Sequence, residues 1–256
     1  MWHGDYLYLM QNLVLKDFRI RYRNMSLGVL WSLLNPLVMM AVMTFVWTQI
    51  FPNKKIDHFP LFVLCGLVPY NFFCIAWAGG TTAIVDNSGL IKRLPVPREV
   101  VPVSTVVSCA IHLLVQLGLL LAIAIGSHVP INRYWLWLPF VWVLEILFVS
   151  GLSLLTSAVN VFIRDTRYVV ESTNIVMMWL VPVFYDFKDI PGKFSNIYQV
   201  NPLAALVMVM RRIVYEGVAP DGTTHTMWNL VLASLTVFLI GLFVFRRMKP
   251  MFYEHI

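Results

Sequence analysis

The chain has 256 residues, of which 59% are hydrophobic and only 12% charged, with a formal net charge of +6. A soluble domain carries about 25% charged residues, and half that charge cannot clothe a water-soluble globule of this size. An ordinary cytosolic enzyme, a disordered chain and a disulfide-built secreted domain are excluded, which leaves an integral membrane protein.

Asp5 and Asp17 precede the first apolar run, which begins after Arg23. That run is too long for a signal-peptide core and reads as a retained span. Before it, Asn12, Lys16, Arg19 and Arg23 recur at i, i+4, i+7 and i+11 on one helical face, with Leu7, Met10, Val14 and Phe18 opposite. This pattern predicts a separate N-terminal element, residues 1–25, folded as an amphipathic helix in the cytoplasmic interface. Asp17 and Arg21 intrude on its apolar side. Such a helix serves either as a lipid-surface anchor or as a docking surface for a cytoplasmic partner.

Residues 26–256 read as a single, all-α transmembrane domain. A crossing helix needs about 20 mostly apolar residues. Windows with no charge, or with only Glu145 or Glu171, predict six spans at about 28–51, 60–84, 100–127, 135–159, 168–185 and 226–246. Between the last two, the run Leu203–Met210 follows Asn201-Pro202 and ends at Arg211-Arg212, too short to cross. Val181–Phe187, containing Pro182, is shorter still. Irregular backbone at membrane depth must be satisfied by protein or a water-filled cavity, which predicts short re-entrant helices dipping in from the outer side. The alternative is an ordinary external helix.

Basic residues orient the chain. With the N-terminus inside, twelve fall on cytoplasmic segments: Lys16, Arg19, Arg21, Arg23, Lys92, Arg93, Arg98, Arg164, Arg167, Arg246, Arg247 and Lys249. Seven fall outside: Lys54, Lys55, Arg133, Lys188, Lys193, Arg211 and Arg212. Both termini are expected in the cytoplasm. The net positive charge is read as topogenic, and no nucleic-acid partner is implied.

Chemistry is sparse. No GxxxxGK[ST] phosphate loop and no HExxH occur, and the six histidines and thirteen acids are scattered. A membrane-embedded enzyme would need titratable groups within hydrogen-bond reach, so no catalytic or metal-binding residue is assigned. Cys65, Cys74 and Cys109 lie inside apolar runs and read as packing residues. Ser104, Ser108, His112 and Gln116 repeat every four residues, and Glu145, Ser153, Thr156, Ser157 and Asn160 share a second face. Both stripes should face the bundle. Interhelical hydrogen bonding is the favoured role, with an ion relay through Glu145 and His112 as the competitor.

Tyr70, Phe73 and Trp77 fall at i, i+3 and i+7, Trp31 and Trp47 flank the first predicted span, and Trp179, Phe184 and Tyr185 end the fifth. Aromatics at span ends are usually interfacial anchors. A mid-span aromatic face combines apolar area with polar handles and suits a sliding sugar chain, so Trp31, Tyr70, Phe73, Trp77, Trp179 and Tyr185 are candidates for a translocation path. The loop from Asp86 to Glu99 places Leu90 and Ile91 beside Lys92 and Arg93, closed by Pro95 and Pro97. That composition suits a knob entering a partner's groove.

Several runs, in order, resemble the permease subunits of polysaccharide-exporting ATP-binding-cassette (ABC) transporters. They are Lys16–Arg23 followed by Ser26–Leu37, Gly66–Tyr70, Asn87–Pro97, Phe162–Asp165, Pro182–Tyr185 and Asn201–Leu203. The resemblance covers about residues 10–247. It implies a six-helix half-transporter that homodimerises in the bacterial inner membrane and binds two copies of a separate ATPase subunit. ATP and Mg belong to that subunit, and this chain carries no cofactor of its own. It also implies an N-terminal interface helix and a coupling helix, here Asn87, Leu90, Ile91, Lys92 and Arg93. Outer gate helices follow from it too, with Pro182, Asn201 and Pro202 at the gate. The implied substrate is a lipid-pyrophosphate-linked glycan, O-antigen first, teichoic acid or capsule as alternatives. Arg19, Arg21 and Arg23, with Lys92 and Arg93, are candidates to meet the pyrophosphate, against a purely topogenic role. An ion-coupled carrier competes but would need paired broken helices in inverted repeats. A lipid-modifying enzyme lacks a catalytic cluster.

Overall fold

A computed structural model describes residues 5–23, 28–50, 56–93, 96–193, 198, 200–220 and 226–254. Residues 24–27, within the N-terminal motif, and Lys54 and Lys55, counted above as outside bases, lie outside the described residues.

Regular structure among the described residues is helical. In chain order it comprises α1 (Tyr6–Tyr22), α2 (Trp31–Phe45, continued by a wider turn over Val46–Ile50), α3 (Phe59–Asp86), α4 (Ser88–Arg93), α5 (Val100–Gly126), α6 (Leu138–Phe162), α7 (Thr166–Leu180), α8 (Pro202–Val214) and α9 (Thr226–Met248). Short 3-10 turns precede α2 and α6 and follow α9.

Capping chemistry sets several of these starts. The Asp5 carboxylate accepts from the Leu7 and Tyr8 amides, and Asn201 accepts from the Leu203 amide at 3.0 Å with Pro202 in the first turn. The stop after α7 is equally local. Val181 is extended because it precedes Pro182, whose ring disfavours helical backbone one residue upstream.

α3 is the hub. It is apolar around nearly its whole circumference, and that is why it is buried on all sides, by α5, α6, α2, α7 and α8. Lipid supplies no hydrophobic drive for helices to associate, so close packing and interhelical hydrogen bonds must do so. Both are present. Gly80 of α3 lies against Ser153 of α6, and the Thr81 and Thr156 hydroxyls bond at 2.7 Å. Gly151 of α6 and Gly241 of α9 meet backbone to backbone. Every member of both predicted polar stripes is buried.

Five helices are long and apolar enough to cross a membrane: Trp31–Ile50, Phe59–Asp86, Val100–Gly126, Arg133–Phe162 and Thr226–Phe252. The expectation of six is thereby corrected. The predicted span 168–185 is α7, a helix of 15 residues. At 1.5 Å per residue it is about 22 Å long, short of a hydrocarbon core of about 30 Å. Beyond it the chain continues as an irregular stretch, with Val183 packed on Gly66.

The predicted re-entrant gate helices are corrected as well. α8 is enclosed by α3, α6 and α9, with Leu203 to Met210 all buried. It is therefore a core helix. Its apolar residues pack on the hub, and nothing among the described residues marks a pair dipping in from one face.

The two ends of the bundle differ. At one, here the basal end, Leu13, Ile84, Ile91, Val100, Val161, Phe245 and Phe252 form one apolar cluster, bringing α1, α4 and the C-terminal turn together. At the other, the distal end, the Tyr215 hydroxyl reaches the Asp57 carbonyl and the Asn132 amide reaches the Ile213 carbonyl.

Candidate functional site

α1 lies along α5, and the two charges that spoil its amphipathicity are what fasten it there. Asp17 accepts from the Thr105 hydroxyl at 3.2 Å, and Arg21 meets His112 Nε2 at 3.2 Å. Tyr22 adds a bond to His112 Nδ1 at 2.6 Å. Partial burial raises the Tyr22 phenol above its ordinary range, although the Arg21 charge opposes this. Farther along, Gln116 donates to the Ser32 carbonyl at 2.9 Å. One face of α5 thus holds both α1 and the start of α2.

The three arginines proposed for pyrophosphate do not converge. Arg21 is half-buried in the α1–α5 seam, whereas Arg19 and Arg23 are exposed. A cleft of about 410 Å³ opens between α1, α3 and α5, lined by Lys16, Asp17, Arg21, Asp86, Asn87 and Thr105. It carries both signs of charge.

α4 continues from α3 after a one-residue break at Asn87. The Asn87 side chain donates to the Ala83 carbonyl and accepts from the Lys16 ammonium. The five residues expected to couple to an ATPase, Asn87 and Leu90 to Arg93, differ in burial. Ile91 is tucked into the basal apolar cluster and Leu90 packs partly against it. Lys92 and Arg93 are exposed. The knob is therefore rooted by its aliphatic side and presents its bases outward.

The aromatic candidates fall into two groups. Tyr70, Phe73 and Trp77 are buried inside the chain, with ring centroids 6.3 and 5.3 Å apart in sequence order. Phe73 stacks on Phe148 of α6 at 6.1 Å, and the Tyr70 hydroxyl donates to the Asn174 carbonyl of α7. Trp31 and Trp179 are exposed, at 46% and 64%. At the distal end Tyr185 joins Trp47, Leu180, Ile190 and Tyr198 around a hollow of about 640 Å³. The Tyr185 hydroxyl lies 3.1 Å from that of Tyr198 and donates to the Trp179 carbonyl at 2.9 Å. Partial burial raises the Tyr185 phenol above its ordinary range. Pro182 is buried, and Asn201 caps α8 with Pro202 in its first turn.

His112 and Glu145 are not joined. His112 is engaged by α1, while Glu145 is fully enclosed on α6 and neither carboxylate oxygen has a hydrogen-bond partner among the described residues.

Sequence reasoning overlooked Arg211. It is 5% exposed and lies over the Phe62 ring, 3.5 Å from its centroid. It donates to the carbonyls of Val183 at 2.5 Å, Tyr185 at 3.1 Å and Phe62 at 3.5 Å. Burial lowers its pKa to about 10, with nearby groups including Asp186 and Glu216 opposing the shift. The guanidinium stays charged and ties the irregular stretch after α7 to α3. Its register was the available signal, since Arg211 lies four and seven residues after Val207 and Ala204 on the buried face of α8.

Apolar helices packed about α3, with α1, α4 and the chain's last turn gathered at one end, define a multi-pass helical membrane protein. Residues 8–215 match the ABC-2 type transporter family, and the chain belongs to it. It is similar to the O-antigen export system permease protein RfbA of Klebsiella pneumoniae, 28% identical over 93% of this chain and 91% of the relative. RfbA of Myxococcus xanthus is also 28% identical, over 92% and 90%. The polysialic acid transport protein KpsM of Escherichia coli is 25% identical, over 91% of each.

Proposed function

We infer that this chain is the permease subunit of an ATP-driven exporter that moves a lipid-linked polysaccharide, O-antigen in the first instance, across the bacterial inner membrane. Family membership is the observation that carries this reading, supported by similarity over nine-tenths of the chain to O-antigen export permeases. Capsular polysaccharide is the second reading, favoured by the similarity to KpsM. The chain has no phosphate-loop motif, so hydrolysis of ATP belongs to a partner ATPase, two copies of which serve a homodimer of this permease.

The basal end faces the cytoplasm, where α1 (within residues 1–25) and α4 (in the domain of residues 26–256) meet the ATPase. Support comes from the exposed Lys92 and Arg93 of α4 there, the cytoplasmic sign of charge. Arg19 and Arg23 remain available to a pyrophosphate headgroup, whereas Arg21 holds α1 in place. Trp31, Trp179 and the hollow around Tyr185 offer aromatic surface outside the packed core, suited to a sliding glycan. The Tyr70–Phe73–Trp77 rings could join such a path only if α3, α6 and α7 parted. Pro182, which ends α7 just before Tyr185, borders the exit.

Purification of the tagged chain from its native cells tests this reading. The expected result is co-isolation of a Walker-motif ATPase and ATP hydrolysis only by the complex. Cells lacking the chain should retain finished lipid-linked glycan on the cytoplasmic face. A chain that co-isolates with no ATPase, or whose loss leaves glycan export intact, overturns it. Leu90→Asp and Lys92→Glu are the informative coupling variants, because Ile91 is part of the permease's own core.

A further inference from the structure

The 3-10 turn that follows α9, Lys249–Glu254, is bound to Arg98 and Glu99, at the start of α5, by links of several kinds. Lys249 Nζ pairs with Glu99 Oε2 at 2.7 Å. The Lys249 carbonyl accepts from Arg98 Nη1 at 2.9 Å. Arg98 itself lies 5.9 Å from the centroid of Phe252. The Phe252 ring is fully buried, at 5.3 Å from Phe245 of α9 and 5.9 Å from Phe162 of α6. Ile91 of α4 belongs to the same apolar cluster.

A lysine just past a spanning helix ordinarily extends toward headgroups and water. Here its side chain and its carbonyl are committed to two consecutive residues, 150 and 151 positions away. Above this point, α9 is locked to α6 where Gly241 meets Gly151 without room for a side chain. Closely packed backbones transmit displacement and do not absorb it. A push on α4 therefore has a short route through Ile91 and the apolar cluster it shares with Phe252, Phe245 and Val161 into α6 and α9.

We propose that Arg98, Glu99, Lys249 and Phe252 form a clasp that transmits the ATPase stroke from α4 to the α6–α9 pair, making them positioning residues for export. The proposal rests on the functional reading above. The clasp stays closed through the cycle, moving as one body with α4.

The test uses the complete permease–ATPase complex in lipid vesicles, with glycan export and ATP hydrolysis measured on the same preparation. Glu99→Lys and Lys249→Glu each lower export per ATP hydrolysed by about fivefold, the size expected when a partly exposed pair becomes repulsive, while the ATPase still co-isolates. The double reversal restores the ratio to within about twofold, which a merely local defect at either site would not do. Met251→Ala, at an exposed neighbouring position, changes nothing. Single reversals that export at the wild-type ratio overturn the clasp, as does a double reversal no better than the singles. Should the reversals block insertion, Glu99→Cys with Lys249→Cys joined by a short thiol crosslinker decides. Export persists if the clasp works closed, and loss of export on crosslinking overturns it. A wild-type complex with no ATP-dependent export defeats the functional reading itself, whereas an exporting complex indifferent to these changes defeats only the clasp.

Discussion

Arg211 satisfies a buried charge with backbone carbonyls, two of them, of Val183 and Tyr185, in the non-helical residues that follow α7. Arg211→Met leaves those carbonyls without a donor and removes the cation from the Phe62 face. The expected cost is about 3 kcal/mol, read as a lower melting temperature in detergent micelles. Arg211→Lys recovers less than half of that loss. An ammonium keeps the charge but lacks the planar fork that reaches several acceptors at once. Equal stability of the lysine variant and wild type would show that charge alone suffices.

Glu99 is governed by its partner in a similar way. Burial, the largest single influence, pushes its carboxyl up, yet the Lys249 hydrogen bond and the charges of Lys249 and Arg246 together hold it below the ordinary value of 4.5. A carboxylate depressed in the folded state stabilises that state above its unfolded pKa. The contribution is lost as pH falls through the folded pKa. The melting temperature of wild type should therefore exceed that of Glu99→Gln at pH 6 to 7, with the gap closing below about pH 4.5. A gap independent of pH would remove the ion pair as its cause.

At the scale of elements, α6 and α9 approach backbone to backbone. A Cβ on Gly241 would sit 2.1 Å from the Gly151 carbonyl oxygen, a backbone atom that cannot swing away. Gly241→Ala must separate the helices and should cost about 3 kcal/mol. Gly89→Ala, where nothing lies within 4 Å, should be neutral. Thermal unfolding of the two variants side by side checks the contrast, and comparable stability would mean that the pair repacks freely. α7 shows the same logic in reverse. Its C-terminal end is set by Pro182, so the window 168–185, charged only at Glu171, promised a span that local backbone chemistry cut to a helix of 15 residues.

For the whole molecule, α1 and the terminal turn share the basal end. Five helices among the described residues are long and apolar enough to cross a membrane, and the residues after α7 pack on α3 through Val183 on Gly66. Gly89→Cys should resist a membrane-impermeant thiol reagent applied to intact cells, while Ser127→Cys at the distal end should label. A C-terminal tag should be protected from external protease. Labelling at position 89 from outside would invert the orientation and displace the ATPase surface from α4.

Composition alone determined that the chain is a membrane protein, because too little charge was present to cover it. Windows with no charge, or with Glu145 alone, then located five helices within a few residues, since length and apolarity are local properties. The inward turn of the Ser104–Gln116 and Glu145–Asn160 stripes was legible for the same reason, as polar groups in hydrocarbon must seek protein. Tertiary structure decided the rest. Periodicity could not reveal that Asp17 and Arg21, which spoil the apolar face of α1, are the residues that dock it, because their partners Thr105 and His112 lie some ninety residues away. It could not show that Ile91 points into the permease, or that the Tyr70–Trp77 stripe is closed over by α6 and α7. Nor could it join Glu99 to Lys249. Sequence periodicity reports which face of a helix is apolar, and only packing reports what covers that face.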